Sequence, residues 1–290
     1  MNNLRAMSFM IMGMATFAGA DAMVKLSASQ TPTGLVMMTM GAAGGLIFWG
    51  ICRLTGTSVL SRLYFHPVIL LRNIFEAAAA YFLFQALAQT ELSKVAAVMQ
   101  AIPLILTILA AAVLKEHVGP RRWAAVGIGL LGVIIIIRPS TEGIVWTDLL
   151  AVLGTVFLAL RDLASRLAPS EASTPLLSLY AFLSLLPVGA FLNWSTGGVW
   201  HIASDSYAPL GLMVLLSVAG YYCVTTAMRI GDVSAVSPLR YFRLPCAALL
   251  AFILFSEVPD WHTIIGAALV VVSGLFVMLR EAQISAKKAP

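Results

Sequence analysis

The chain has 290 residues, 60% of them hydrophobic and 11% charged, with a formal net charge of +5. A soluble domain carries about 25% charged residues, so this composition excludes a water-soluble globular fold. Strand-type alternation is absent, which argues against a membrane barrel. In a bilayer core without water to satisfy backbone groups, helices are the remaining choice.

A helix crossing a ~30 Å hydrocarbon core needs about 20 mainly apolar residues. In chain order such stretches fall near 5–25, 34–52, 68–89, 94–114, 122–138, 147–166, 174–193, 209–228, 234–255 and 261–280. The first, with Arg5 before it and Ala18-Gly19-Ala20 near its end, imitates a secretory signal. Gly13 and Asp21 straddle the apparent cut and recur later in the chain, so this run is expected to stay as the first span. Pro103, Pro187, Pro238 and Pro245 are expected to break or bend the fourth, seventh and ninth spans. Cys52, Cys223 and Cys246 lie in or beside apolar runs and read as packing residues.

Loop charge sets the topology. With the N-terminus in the cytoplasm, the inner segments hold Arg5, Arg53, Arg62, Lys115, Arg121, Arg122, Arg166, Arg229, Arg280, Lys287 and Lys288. The outer segments hold Lys25, Lys94 and Arg138. Both termini are therefore expected in the cytoplasm of a multi-pass protein of a bacterial-type inner (plasma) membrane. The positive charge is a topology signal and requires no nucleic-acid partner.

Sliding the chain along itself by 141 positions brings two halves into register. Gly13 meets Gly154, Asp21 meets Asp162, Lys25 meets Arg166, Thr33 meets Thr174, Tyr81 meets Tyr222, Glu91 meets Asp232, Ser93 meets Ser234 and Glu116 meets Glu257. Each half holds an odd number of spans, so the second must sit upside down, a plan that places binding sites at the repeat interface. The predicted fold is an all-α polytopic membrane protein: ten transmembrane helices as two inverted five-helix repeats around a central cavity. The first repeat covers 1–140 and the second 141–290, joined near Pro139 to Gly143.

An ionisable group inside a span is costly and marks a functional candidate. Asp21 with Lys25, and Asp162 with Arg166, are spaced i,i+4 in both copies and read as structural charge pairs at helix ends. Arg161 faces Ala20 in the repeat register but lies near a cytoplasmic end, where it could snorkel. Arg72 and Glu76 face Met213 and Ser217, while Arg240 and Arg243 face Met99 and Ile102. These charges belong to one copy only, which is where an asymmetric substrate leaves its mark. Glu76 and Arg243 fall about 13–15 Å from the cytoplasmic edge, near the midplane. Either Glu76 bridges a ninth-span arginine and pins two helices, or it meets the amino group of a ligand. Three arginines against one glutamate favour a small-molecule substrate with a carboxylate or phosphate. Tyr81, Gln85, Gln100, Tyr222, Thr225 and Tyr241 are further polar groups that could line a cavity or pack. Gln100 is the leading ligand contact, with Tyr81 and Tyr222 beside it as candidates.

No catalytic, metal or cofactor site is expected. His66, His117, His201 and His262 sit at loops or span ends, none at ligand spacing, which argues against the rival reading from another class, an intramembrane enzyme. A monomer contacting membrane lipid satisfies every feature.

Leu114-Lys115-Glu116, Arg122-Trp123 with Gly127, Gly129 and Gly132, and Arg138-Pro139 resemble the first repeat of EamA-type transporters of the drug/metabolite transporter superfamily. Phe255-Ser256-Glu257 and Trp261 with Gly266 are similar to the second. The resemblance implies a basket in which spans one, three, four, six, eight and nine surround the cavity, with five and ten flanking it. It also implies alternating access, the two copies rocking about a midplane site, with links such as Gln89–Leu92 carrying the coupling. Members move amino acids, riboflavin and nucleotide-type metabolites, and ten-span members of this size include an exporter of aromatic and neutral amino acids. A carboxylate-plus-amino ligand suits the arginines and Glu76, so amino-acid export is the expected activity. A carrier of riboflavin or a nucleotide-like, anionic metabolite is the alternative.

Overall fold

The computed structural model describes residues 2–59, 62–116, 118–138, 145–169, 171–232 and 236–288. The junction at Pro139–Gly143, His117 and Ser234 lie outside the described residues. The helices are α1 (Asn2–Ala28), α2 (Thr33–Leu54), α3 (Pro67–Gln89), α4 (Leu92–Met99), α5 (Ile102–Val113), α6 (Pro120–Ile137), α7 (Trp146–Arg166), α8 (Thr174–Ser195), α9 (Tyr207–Ile230), α10 (Arg243–Phe255) and α11 (Trp261–Lys288). A 3-10 turn, Ser237–Phe242, leads into α10. Among the described residues nine segments are long and apolar enough to cross a membrane, α4 and α5 counting as one. The 21-residue α7 falls outside that set because it carries Asp148, Arg161, Asp162 and Arg166, yet it packs along α3 inside the same bundle.

The proline expectations resolve by position. Pro103 and Pro245 sit in the first turns of α5 and α10, and Pro238 opens the 3-10 turn, so these three mark real interruptions. Pro187 lies inside a continuous α8. The fourth span breaks at Gln100–Ala101, and the ninth passes from 3-10 to α-helix at Phe242–Arg243. Shifted by the repeat offset, Gln100 lands on Tyr241. Both copies therefore interrupt the same helix at the same place.

The helix pairs with the most extensive contact are α1 with α9, α2 with α8, α3 with α7 and α6 with α11. Every one joins the first copy to the second. Small residues permit the close approaches, as expected where helices gain nothing from excluding lipid tails. A Cβ on Gly13 would overlap Val224 of α9, and a Cβ on Gly154 would overlap Leu83 of α3. Each of these pairs is the other shifted by the repeat offset, so one symmetry operation relates both contacts. Gly34 lies against Gly189, and Gly132 against Gly266, at the α2–α8 and α6–α11 crossings.

The direction of that symmetry follows from side-chain contacts. The Lys25 ammonium donates to the Thr90 carbonyl (2.5 Å), placing the C-terminal ends of α1 and α3 together. Asn3 Nδ2 donates to Asp232 (2.8 Å), placing the start of α1 beside the end of α9. Arg72, early in α3, donates to Ser165 near the end of α7 (3.0 Å). Lys25 and its equivalent Arg166 thus lie at opposite ends of the bundle, and one copy is upside down relative to the other. Large apolar side chains such as Leu46, Ile74, Leu131 and Phe252 remain exposed on the perimeter, as a surface facing acyl chains requires.

Candidate functional site

A cavity of about 1090 Å³ lies between the copies. Its wall draws on the second half of α1, the middle of α3, the broken α4–α5 segment, the C-terminal halves of α7 and α9, and the 3-10 turn before α10. It also takes Arg122 from α6 and Val277 and Met278 from α11. The wall runs from the buried Val24 and Leu87 near one end of the bundle to the exposed Arg166, Asp232 and Arg240 near the other, so the cavity opens at the end where α1 begins and α11 finishes.

Two ion-pair systems dominate the wall. In the first, Asp21 of α1 meets Arg243, the first residue of α10. Arg243 donates to both carboxylate oxygens, from Nε at 3.0 Å and from Nη2 at 2.6 and 2.8 Å. Fork-on-carboxylate geometry of this kind is among the stronger polar contacts a protein makes. The guanidinium also lies 5.6 Å from the Phe17 ring centroid. In the second system, Arg161 sits between Glu76 (3.3 Å) and Asp162 (3.2 Å), and Arg72 stands 3.8 Å from Glu76. Arg72 is held further by the Ser165 hydroxyl, by Asn73 Oδ1 (3.1 Å) and by the Leu177 carbonyl (3.1 Å).

These contacts revise the sequence reading at several points. Asp21 and Lys25 do not pair with each other, because a facing helix offers Asp21 a bidentate arginine while Lys25 reaches past the helix end to Glu257 (2.6 Å). Asp162 pairs with its neighbour Arg161, and Arg166 makes no ion pair among the described residues. Glu76 meets Arg161 and Arg72 and neither ninth-span arginine. Of the three arginines set against one glutamate, Arg240 alone makes no ion pair among the described residues, and it is exposed on the wall.

Of the predicted ligand contacts, Glu76, Gln100, Arg240 and Arg243 lie on the wall, and so do Asp21, Asp162 and Arg166 from the predicted charge pairs. Arg72 is buried behind it. Tyr81 is off the wall, edge-on to Phe82 with ring centroids 5.1 Å apart. Tyr222 is 65% exposed and points out of the bundle. Its neighbour Tyr221 takes the inward position and donates to the Thr174 carbonyl (3.3 Å). Tyr241 and Thr225, named as able to line a cavity, do so, whereas Phe17 and Tyr221 are wall residues the sequence reading passed over and Arg161 is one it assigned to a helix end. Arg161 carried a usable signal, since it faces Ala20 in the repeat register and is an unmatched charge by the same criterion that selected Arg72.

The end opposite the opening is closed by a compact knot. Glu257 accepts from Lys25 through one oxygen and from the Leu92 backbone N–H (2.8 Å) through the other. Lys25 also lies 5.3 Å from the Phe255 ring centroid.

The profile of the EamA-like transporter family matches residues 4–138 and again residues 145–279. A solved crystal structure aligns with a TM-score of 0.65 and 18% identity, covering 96% of this chain and 98% of that one, which speaks to the fold. Over 201 residues the chain is 30% identical to a riboflavin transporter of Rhizobium johnstonii, a match covering 66% of this chain and 65% of the relative. It is 27% identical over 184 residues to an S-adenosylmethionine uptake transporter of Rickettsia prowazekii, covering 62% and 61%. The matched part thus spans less than two thirds of either relative. A riboflavin transporter of Brucella anthropi is 25% identical over 232 residues, covering 78% and 81%. These relatives are named for riboflavin and S-adenosylmethionine, and none of the three for an amino acid. The chain carries two copies of one repeat and belongs to the EamA-like transporter family of membrane transporters.

Proposed function

We propose that this protein is a ten-span secondary carrier of an inner membrane that moves a mid-sized polar heterocyclic metabolite of the riboflavin or S-adenosylmethionine kind. The observation that carries this reading is the wall itself. It sets paired charges of both signs beside Phe17, Tyr221, Tyr241 and several methionines, which suits a flat, hydrogen-bonding or zwitterionic ligand better than a plain anion. The volume is at the upper end of the ~300–1,000 Å³ usual for small-molecule sites. Arg5, Arg53, Lys115, Arg121, Arg122 and Arg166 gather at the open end and Lys25, Lys94 and Arg138 at the closed one. This distribution supports both termini facing the cytoplasm and a cavity open to it.

Transport then proceeds by alternating access, with the Lys25–Glu257–Leu92 knot as the outer seal. Because the strongest helix pairings cross between copies, the moving units each combine helices of both, in place of the two whole copies the sequence reading expected to rock. The test is counterflow into proteoliposomes with radiolabelled riboflavin, S-adenosylmethionine and tryptophan as separate probes. Saturable exchange of either of the first two is expected. Exchange of tryptophan alone would restore amino-acid transport. A phosphorylated or otherwise anionic metabolite is the second reading, favoured by Arg240 alone, and belongs in the same probe set.

A further inference from the structure

The two helix breaks occupy equivalent positions, but they are satisfied differently. Where the ninth span resumes, Arg243 is the first residue of α10, and the Asp21 carboxylate is bound to it. The Arg243 backbone N–H is already bonded to carbonyls of the preceding 3-10 turn, so Asp21 is held by the guanidinium alone. Where the fourth span resumes, α5 begins with Ile102 in place of Arg243. Asp162, the equivalent of Asp21, is turned to Arg161. Among the described residues no acidic side chain is bonded at the start of α5.

The backbone of that break is itself satisfied, with the Leu104 and Ile105 N–H groups bonded to the Ala101 carbonyl and Pro103 lacking one, and just before it stands Gln100. It lines the cavity, is 7% exposed, and its amide nitrogen is buried without a hydrogen-bond partner. An unsatisfied buried amide destabilises the fold, and the loss is harder to recover inside a bilayer. A leucine of similar size would avoid it. The side chain is explained if a ligand supplies what the fold withholds.

We propose that Gln100, at the break between α4 and α5, is the recognition point for the hydrogen-bonding edge of a planar heterocycle. A carboxamide sets an acceptor and a donor side by side. Its complement is a ring edge with the same pair reversed: a ring N–H next to a carbonyl, or an exocyclic amine next to a ring nitrogen. Tyr241, at the equivalent position in the other copy, lines the cavity with its ring and lodges its hydroxyl over Gly274, where any Cβ would overlap it. The ring is thereby held as a surface for stacking. The edge is read by one copy and the face is supported by the other. This assignment rests on the heterocyclic-substrate reading above and adds which side chain selects the ring.

The test titrates purified full-length protein in nanodiscs with riboflavin, followed by flavin fluorescence, for wild type and Gln100→Leu. The same titration is run with N3-methylriboflavin, which lacks the ring N–H. A lost bidentate contact is expected to weaken riboflavin binding by roughly tenfold to a hundredfold. N3-methylriboflavin should bind wild type and Gln100→Leu with the same reduced affinity. If S-adenosylmethionine is the ligand that binds, its N6,N6-dimethyladenine analogue takes the place of the methylated flavin. Thermal unfolding without ligand provides the control: Gln100→Leu should melt no lower than wild type, because it removes an unsatisfied polar group. Undiminished riboflavin binding by Gln100→Leu overturns the assignment while leaving the transport reading intact. A lower melting temperature with equal losses for parent and methylated ligand makes Gln100 a scaffold residue and overturns it too. Wild type that binds neither riboflavin nor S-adenosylmethionine removes the heterocyclic reading, and this inference with it.

Discussion

The two ends of the bundle are built from the same parts and arranged differently. At each end a span closes with a residue of left-handed backbone, Lys115 (φ 54°) and Ser256 (φ 55°), followed by a glutamate. The glutamate N–H reaches back to the helix in both cases: Glu116 to the Ala110 carbonyl (3.2 Å) and Glu257 to that of Ala251 (3.1 Å). This is the hydrogen bonding of a Schellman cap, so the backbone presents both carboxylates alike. Glu257 is locked to Lys25 and the Leu92 N–H. Glu116 is exposed, and Arg166, the equivalent of Lys25, lies open on the cavity wall with no ion pair to it. Two equivalent acid–base pairs, one made and one unmade, are what a carrier needs if closing one door is to go with opening the other. By the repeat symmetry, Arg166 and Glu116 are expected to meet when the outer knot parts.

That comparison can be broken in order of expected effect. The largest is at the wall between the two ends. Arg243→Leu leaves Asp21 as an unpaired buried charge, which typically costs about 3–5 kcal/mol. Folded yield and melting temperature should collapse, and the added Asp21→Leu change should recover much of the loss. Next is the seal itself. Glu257→Gln weakens the charge-assisted contacts by about 1–3 kcal/mol, raising the outward-open population by roughly tenfold. A cysteine at Val24 or Leu87, both on the wall, should then react faster with an impermeant maleimide added outside; an unchanged rate would show that Glu257 is no latch. Third, Arg166→Glu should slow exchange by about tenfold while leaving ligand binding near wild type, since only the unformed contact is lost. Pairing it with Glu116→Arg should restore exchange, and a double variant as slow as the single one would separate the two residues. The smallest effect is expected for Arg138→Ala. Arg138 pairs with Asp260, but both side chains are more than two-fifths exposed, so the loss should stay below about 1 kcal/mol with transport unaffected.

What the residues made legible, and what they hid, follows from the solvent. The spans, the repeat and the breaks at Pro103 and Pro238 could be read, because length, register and proline chemistry are properties of the chain alone. Helix rotation could not. In a bilayer the outward and inward faces are both apolar, so no stripe tells Tyr221 from Tyr222, although one residue turns a helix by about 100° and separates the cavity from the lipid. The pairing of Asp21 with Arg243 was hidden for the same reason. An i,i+4 neighbour is visible in the sequence, whereas a partner 222 positions away depends on how two helices face. Lys25 showed the reverse failure: its conserved-looking spacing to Asp21 suggested a local pair, while its position at the helix end made it part of the seal.

The close crossings of Gly34 with Gly189 and Gly132 with Gly266 have a consequence for biosynthesis. These glycines belong to two of the four most extensive helix pairs, all of which join opposite copies, so the helices of the first copy leave their main contact surfaces uncovered until those of the second are inserted. A polypeptide stopped after Arg138 would offer those naked glycine tracks to whatever partner the bilayer holds. Co-expressed separately, the fragments 1–138 and 145–290 should find each other and rebuild the carrier, and each alone should be degraded.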